Sequence, residues 1–245
     1  MMEKGQYIYG VRPIEEAVRA GKPIEKVWVQ AGKRLPSAVN QLRKQGVPVQ
    51  YVPPRWFRKW NRVNHQGIVA LIAPLKYQPL EDVLDMMLEQ GNSIGIVLDG
   101  VSDVRNVGSI ARSTYALGGA ALFLPQKEGA LLSEEAVKAS AGALLHLPVS
   151  RYPSPQKLIQ LSEERGINIA ITTVDTMSEP IYRVRFEGPW LVVMGDEHRG
   201  VRPAFLNKVE RKITIPMKNL DSLNVANATS VILYEWLRQQ LQEDK

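Results

Sequence analysis

From residue 94 onward the chain is punctuated by short apolar runs: IGIVLDG (94–100), ALFLP (121–125), LLHLPV (144–149), INIAITT (167–173), LVVMG (191–195) and KITIP (212–216). Each is too short for a stable helix and is bounded by turn residues, which is the pattern of a strand buried on both faces. Between them, helical spacing predicts helices near 107–117, 133–139, 155–165 and 222–241. Regular alternation of this kind predicts an α/β domain with a mostly parallel sheet and helices on both faces. In such sheets ligands bind beyond the carboxyl ends of the strands, where loops turn into helices.

The N-terminal third reads as a smaller α/β unit. YIYGVRPIEEAVRAG carries Ile14, Ala17 and Val18 at helical spacing and closes on Gly21. KVWVQ is a strand, VNQLRKQGVPVQYV a helix, glycine stop and strand, and QGIVALIA a further strand. Residues 76–92, with a proline, a short acidic helix and Gly-Asn, read as a linker between a domain at 1–75 and a domain at 93–245.

Charge is divided unevenly between these parts. Residues 1–75 hold 13 Lys and Arg against 4 Asp and Glu, a surplus of nine. The remainder holds 18 against 21, so the net charge of +6 is carried by the first unit. That asymmetry points to a polyanion held by the first unit and chemistry performed by the second. With no cysteine and three scattered histidines (His65, His146, His198), disulfides, thiolate chemistry and metal-ligand spacing are not expected. The N-terminus has no apolar signal segment and no run long enough to cross a bilayer, so a cytoplasmic, metal-free protein with no membrane partner is expected.

Polar clusters follow three of the strands. In DGVSDVRNVGSIARSTYALGG, Asn106 is placed to cap a helix, Gly108 to admit a close neighbour and Arg112 to clamp a phosphate. In MGDEHRG, Gly195 and Gly200 bracket a tight turn in which Glu197 can accept hydrogen bonds. Neither a P-loop nor the GxGxxG dinucleotide fingerprint is present, which disfavours a nucleotide-dependent oxidoreductase. In ITIPMKNLDSLNVANATSVILYEWLRQQ, Asp221 or Ser222 is expected to cap the last helix, and Asn224 and Asn227 stand out as amides at a helix start. Taken singly, each cluster is also what an ordinary connection looks like. A fourth segment, PPRWFRKWNRVNHQG, interleaves rings and cations. Read as a helix, it puts Arg55, Lys59 and Arg62 on one face and Trp56 and Trp60 on another, a combination that suits unpaired RNA bases and phosphates. The alternative is that the tryptophans are core and the cations merely solvated.

The order Asn106-x-Gly108-x-x-x-Arg112, then Gly195-x-Glu197-x-x-Gly200, then Ser222-Leu223-Asn224 resembles the SpoU (TrmH-like) family of RNA ribose 2′-O-methyltransferases, in the SPOUT superfamily. Ile215-Pro216-Met217 and KASAGALLHLPV resemble further family segments, and YGVRPIEEAV and HQGIVA resemble its N-terminal substrate-binding domain. The resemblance implies S-adenosylmethionine as methyl donor and a ribose 2′-hydroxyl of RNA as acceptor. It further implies a knotted (trefoil) C-terminal domain, an L30e-like N-terminal RNA-binding domain, and a homodimer that completes the active site. It implies a guanosine of 23S ribosomal RNA as target, with transfer RNA as the next candidate, and a catalytically silent ribosome-associated protein as the rival reading.

The implied catalytic residues are Arg112, Asn106, Glu197, Asn224 and Ser222. Arg112 takes part in the acceptor step, Asn224 orients ribose or cofactor, Asn106 helps assemble the site, and Glu197 braces the cofactor loop. Because a guanidinium stays protonated, Arg112 suits a phosphate clamp or alkoxide stabiliser better than a general base. Backbone groups around Gly195, Ile215 and Leu223, with Thr173 near the adenine end, are implied for the cofactor, and Arg12, Arg55, Arg58, Lys59 and Arg62 for RNA. Two positions depart from the family pattern: Leu144 stands where many relatives carry an acid, and SLNVANAT replaces the commoner SLNVSVA.

Overall fold

A computed structural model describes residues 7–34, 36–73, 75–127, 129–130, 132–175, 177–196 and 199–243. The chain divides into two compact units, Met1–Lys76 with Leu131–Glu135, and Tyr77–Ala130 with Ala136–Lys245.

The first unit runs β1 (Tyr7–Tyr9), α1 (Val11–Arg19), β2 (Ile24–Gln30), α2 (Ser37–Lys44), β3 (Val49–Val52), a 3-10 turn (Pro54–Trp60) and β4 (Ile68–Ile72). Its sheet has the order β1-β4-β2-β3, with β2 and β3 parallel and β4 antiparallel to both of its neighbours. Side chains alternate across a strand, so Val27, Val29, Ile68 and Ala70 share one face and pack on Ile14 and Ala17 of α1 and Val39 and Leu42 of α2. Trp28, Val69 and Leu71 share the other face and meet Phe57 and Trp60 of the turn.

That second face corrects the expected RNA-stacking surface. The segment is a 3-10 turn, in which residues three apart line up, so Phe57 and Trp60 both point inward and are buried. Trp56 stacks on Trp28, with ring centroids 5.3 Å apart, meets Phe57 edge to face at 5.0 Å, and has Lys59 Nζ 3.9 Å from its ring centre. Phe57 and Trp60 are core, and Trp56 is partly buried against them. The cations Arg12, Arg55, Arg58, Lys59 and Arg62 are all exposed.

The second unit begins with α3 (Leu80–Glu89), in the stretch expected to be a linker. Its Leu80, Val83, Leu84 and Met87 recur at helical spacing and are buried in the unit's main core, with Val97, Phe123, Leu191 and Val193. There follow β5 (Ile94–Asp99), α4 (Val104–Ala116), β6 (Ala121–Pro125), α5 (Glu134–Ala139), β7 (Val149–Tyr152), α6 (Pro155–Glu164), β8 (Asn168–Thr172), β9 (Glu179–Pro180), β10 (Trp190–Gly195), α7 (Pro203–Leu206), β11 (Lys212–Thr214) and α8 (Val225–Glu243). These strands form a seven-stranded sheet in the order β7-β6-β5-β10-β8-β11-β9, every pair parallel. All six residues of β5 are buried, as a strand covered on both faces requires.

Two local readings differ from expectation. LLHLPV is not a strand: Ala143–Leu145 form a 3-10 turn, Leu144 is buried there, and the strand begins at Val149. The true strand carries polar residues that hide it from an apolar search. Its buried Arg151 donates from Nη1 to the carbonyl of Pro125 (3.1 Å) and from Nη2 to the hydroxyl of Tyr77 (3.0 Å). The last helix begins at Val225 rather than 222.

Because α3 supplies core rather than connection, Leu84→Ala is expected to lower the unfolding free energy by about 3 kcal/mol in urea titrations. A linker helix would show no measurable change.

Candidate active site

The carboxyl ends of β8, β10 and β11 and the start of α8 surround a cavity of about 420 Å³. Met194, Ile213 and Ile232 give it an apolar floor, while Thr173, Asp196, Asp221 and Ser222 bring polar groups to its wall. Its size and mixed lining suit a small molecule with an apolar ring and a charged end. Four residues expected to hold a cofactor, Thr173, Gly195, Ile215 and Leu223, all line it.

One wall is the loop after β10. Asp196 and Gly200 exchange backbone hydrogen bonds (2.8 and 3.2 Å), and Asp196 Oδ1 accepts from the Arg199 N–H at 3.0 Å. The returning chain passes so close that a methyl group on Gly195 would overlap the carbonyl carbon of Gly200 and the nitrogen of Val201. Only glycine fits there. Glu197, and His198 beside it, lie outside the described residues. Within them the carboxylate seen bracing the loop is Asp196. The acidic pair in GDEHRG signalled a carboxylate but not which of the two takes this part.

Next to the lining residues Leu223 and Val225, two distant motifs come together. Asn224 Nδ2 donates to Asn106 Oδ1 at 3.2 Å, across 118 residues of sequence. Asn224 also caps α8, its Oδ1 accepting from the Ala226 N–H at 3.0 Å. This corrects the expectation that Asp221 or Ser222 would cap the helix. Ser222 is exposed at the cavity rim, and Asn227 is exposed on α8. Asn106 is likewise not the cap of α4. Asp103 fills that position by accepting the Arg105 N–H at 2.8 Å, and Asn106 sits in the first turn, where it meets Asn224. The hydrogen bond from the Arg105 side chain, followed by that from its N–H, holds the Asp103 carboxyl below its ordinary pKa.

Helix α4 is held by close packing on both sides. A side chain on Gly108 would strike the carbonyl of Ala136 at 2.8 Å and the Ala139 methyl, so the glycine lets α4 approach α5. Ser230 Oγ of α8 donates to Ser113 Oγ at 2.8 Å. Arg112, one residue before Ser113, is exposed and does not line the cavity. The fold therefore places Ser222 with the expected cofactor residues and joins Asn106 to Asn224, while Asn106, Asn224 and Arg112 all lie outside the residues that line the cavity, Arg112 exposed on α4. Among the described residues no helix is long and apolar enough to cross a membrane, and no group of His, Cys, Asp or Glu is arranged to hold a metal ion.

Fold and site together define an RNA methyltransferase that uses S-adenosylmethionine. The chain belongs to the SpoU rRNA Methylase family, whose model matches residues 93–234. Residues 7–78 match the model described as RNA 2′-O ribose methyltransferase substrate binding. A relative from Staphylococcus haemolyticus, named only to family level as a TrmH family tRNA/rRNA methyltransferase, is 32% identical over 96% of each chain. The SpoU methyltransferase AviRb from Streptomyces viridochromogenes, solved with the cofactor AdoMet, is similar with a TM-score of 0.60 and 27% identity over 97% of this chain and 91% of its own. A structure concerned with 2-OH methylation of C/U34 on tRNA is also 27% identical, with a TM-score of 0.55, but it covers 61% of this chain and 97% of its own.

The two hydrogen bonds of Asn224 are separable. Asn224→Ala removes both and is expected to cost about 1 kcal/mol of stability through the lost cap. Asn224→Asp keeps an acceptor for the Ala226 N–H but loses the amide donor to Asn106. Urea unfolding should therefore be near wild type for Asn224→Asp, while single-turnover methyl transfer falls in both variants.

Proposed function

We propose that this protein transfers a methyl group from S-adenosylmethionine to a ribose 2′-hydroxyl of ribosomal RNA in the cytoplasm, with a guanosine of the 23S molecule as the target the family resemblance implies. The observation that carries this reading is the Asn106–Asn224 hydrogen bond beside the cavity, which joins an acceptor-side motif to the helix that walls the cofactor site. Transfer RNA is the other acceptor to be tested. The N-terminal basic unit supports the ribosomal reading, because the tRNA-directed neighbour fits almost wholly within the part of this chain that it covers.

The cavity fits the donor by its chemistry. Its apolar floor suits an adenine ring, and the carboxylates of Asp196 and Asp221 suit a ligand that carries positive charge. Bound there, S-adenosylmethionine supplies a methyl group activated on a sulfonium. Residues around Gly195, Ile215 and Leu223 hold it, and Thr173 lines the same cavity. That methyl carbon would be open to displacement by the ribose 2′-oxygen, with the hydroxyl proton passing to solvent. Such an in-line displacement gains most from fixed positions of its two partners. Asn224 and Asn106 orient the acceptor side, Ser222 borders it, and Glu197 braces the donor loop. Arg112 clamps an RNA phosphate and stabilises charge developing on the acceptor oxygen.

The exposed position of Arg112 supports a role toward a ligand arriving from outside the cavity, and exposed Tyr115, Val231 and Tyr234 on α4 and α8 support a second copy of the chain packing nearby. In the first unit, Arg12, Arg55, Arg58, Lys59 and Arg62 contact phosphates rather than stacked bases.

Arg112→Ala is expected to lower kcat/KM by about 10²–10³-fold while leaving cofactor affinity unchanged. Calorimetry with S-adenosylhomocysteine and single-turnover transfer on bulk ribosomal and transfer RNA test both halves, and methylation confined to transfer RNA would replace the ribosomal assignment. Replacing Arg58 and Arg62 together by Ala should flatten the slope of log affinity against log salt by about 1.5, as loss of two phosphate contacts requires. An unchanged slope would remove these two residues from the RNA surface.

A further inference from the structure

Outside the residues that line the cavity, the fully buried Asp99 forms an ion pair with Arg202, whose side chain is 32% exposed. Asp99 ends β5 and is fully buried. Its Oδ2 accepts from the Arg202 backbone N–H at 2.7 Å, and its Oδ1 accepts from Nε and Nη2 of the same residue, each at 2.6 Å. Three donors from one residue thus converge on one desolvated carboxylate, across 103 residues of sequence. A buried charge held this completely is costly to strand, so the two groups are committed to one geometry.

What they join gives the pair its meaning. Asp99 pairs in register with Gly195 at the shared carboxyl end of β5 and β10. It is followed by Gly100, in a left-handed conformation (φ 84°), and by the segment that leads to Asp103 and Asn106. Arg202 follows the Gly195–Gly200 loop and starts α7, whose Phe205 is buried against Tyr152 (ring centroids 6.0 Å, edge to face). Tyr152 donates its hydroxyl to the carbonyl of Leu98, one residue before Asp99. Burial, followed by the Asp99 charge, pushes this phenol well above its ordinary pKa, so it stays a neutral donor. The ion pair therefore closes the base of the donor-side loop onto the strand end from which the Asn106 segment departs.

We propose that Asp99 and Arg202 are a positioning pair for the methyl donor, holding the chain that returns past Gly195 at Gly200 and Val201 in its donor-binding position. The pair touches neither donor nor RNA; it acts through the loop. This rests on the reading that the cavity binds S-adenosylmethionine.

Arg202→Lys keeps the charge and the backbone N–H but loses the forked grip, and Asp99→Asn keeps an acceptor but loses the charge. In the full-length protein each is expected to raise the dissociation constant for S-adenosylhomocysteine and the KM for S-adenosylmethionine about tenfold. At saturating donor, kcat should fall no more than about twofold and KM for RNA should be unchanged. Arg202→Ala is expected to be worse than Arg202→Lys, so the lysine acts as a partial rescue. Folded variants with wild-type donor affinity would overturn the proposal, as would an equal rise in the KM for RNA. Loss of cooperative unfolding in Arg202→Lys would also overturn it, by assigning the pair to the fold instead of the loop. If the wild-type protein itself binds no donor analogue, the cofactor reading fails, and with it the basis for this one.

Discussion

The close passage of residues 200–201 against Gly195 governs the architecture of the site. A strand that ends in a residue without a side chain lets the chain return on itself within a few residues, with Asp196 and Gly200 paired across the turn. The returning segment then meets Asp99 at the end of the neighbouring strand, and the three hydrogen bonds from Arg202 fasten it there. Displacing Arg202 would strand a fully buried carboxylate without its donors, which ties the returning chain to the end of β5.

The start of α8 follows a different logic. Asn224 satisfies the first turn of α8 and reaches Asn106 in the first turn of α4, so one amide both starts a helix and links two motifs. The packing of Gly108 against α5 and of Ser113 against Ser230 fixes α4 between its neighbours and so fixes where Asn106 stands. Positions of this kind are what a displacement reaction needs, since the arrangement of its partners accounts for most of the acceleration.

The division of labour between the units follows from composition. Apolar residues of β2 and β4 alternate to serve two faces, one covered by helices and the other by an aromatic turn, leaving the arginines and lysines of residues 54–62 outside. Of the rings between those cations, Phe57 and Trp60 are buried in the core and Trp56 is packed against it.

The alternation of apolar runs from residue 94 was enough to derive the parallel sheet, because strands buried on both faces must be apolar almost throughout. The polar clusters after those strands pointed to the site for the same reason: polar groups there need partners or a ligand. Edge strand β7 escaped detection since it carries polar residues, and the partners of its Arg151, such as Tyr77, lie far along the chain. The acidic helix α3 read as a linker because its charged outer face dominates the composition while its buried stripe is short. Pattern reports local burial, so it could name Asn106, Asn224 and Gly195 as residues of interest but not their partners. That Asn106 meets Asn224, that Asp99 meets Arg202, and that Trp56 and Trp60 turn inward depended on strand order and helix packing. Contacts between residues more than a hundred apart exist only once the sheet has assembled.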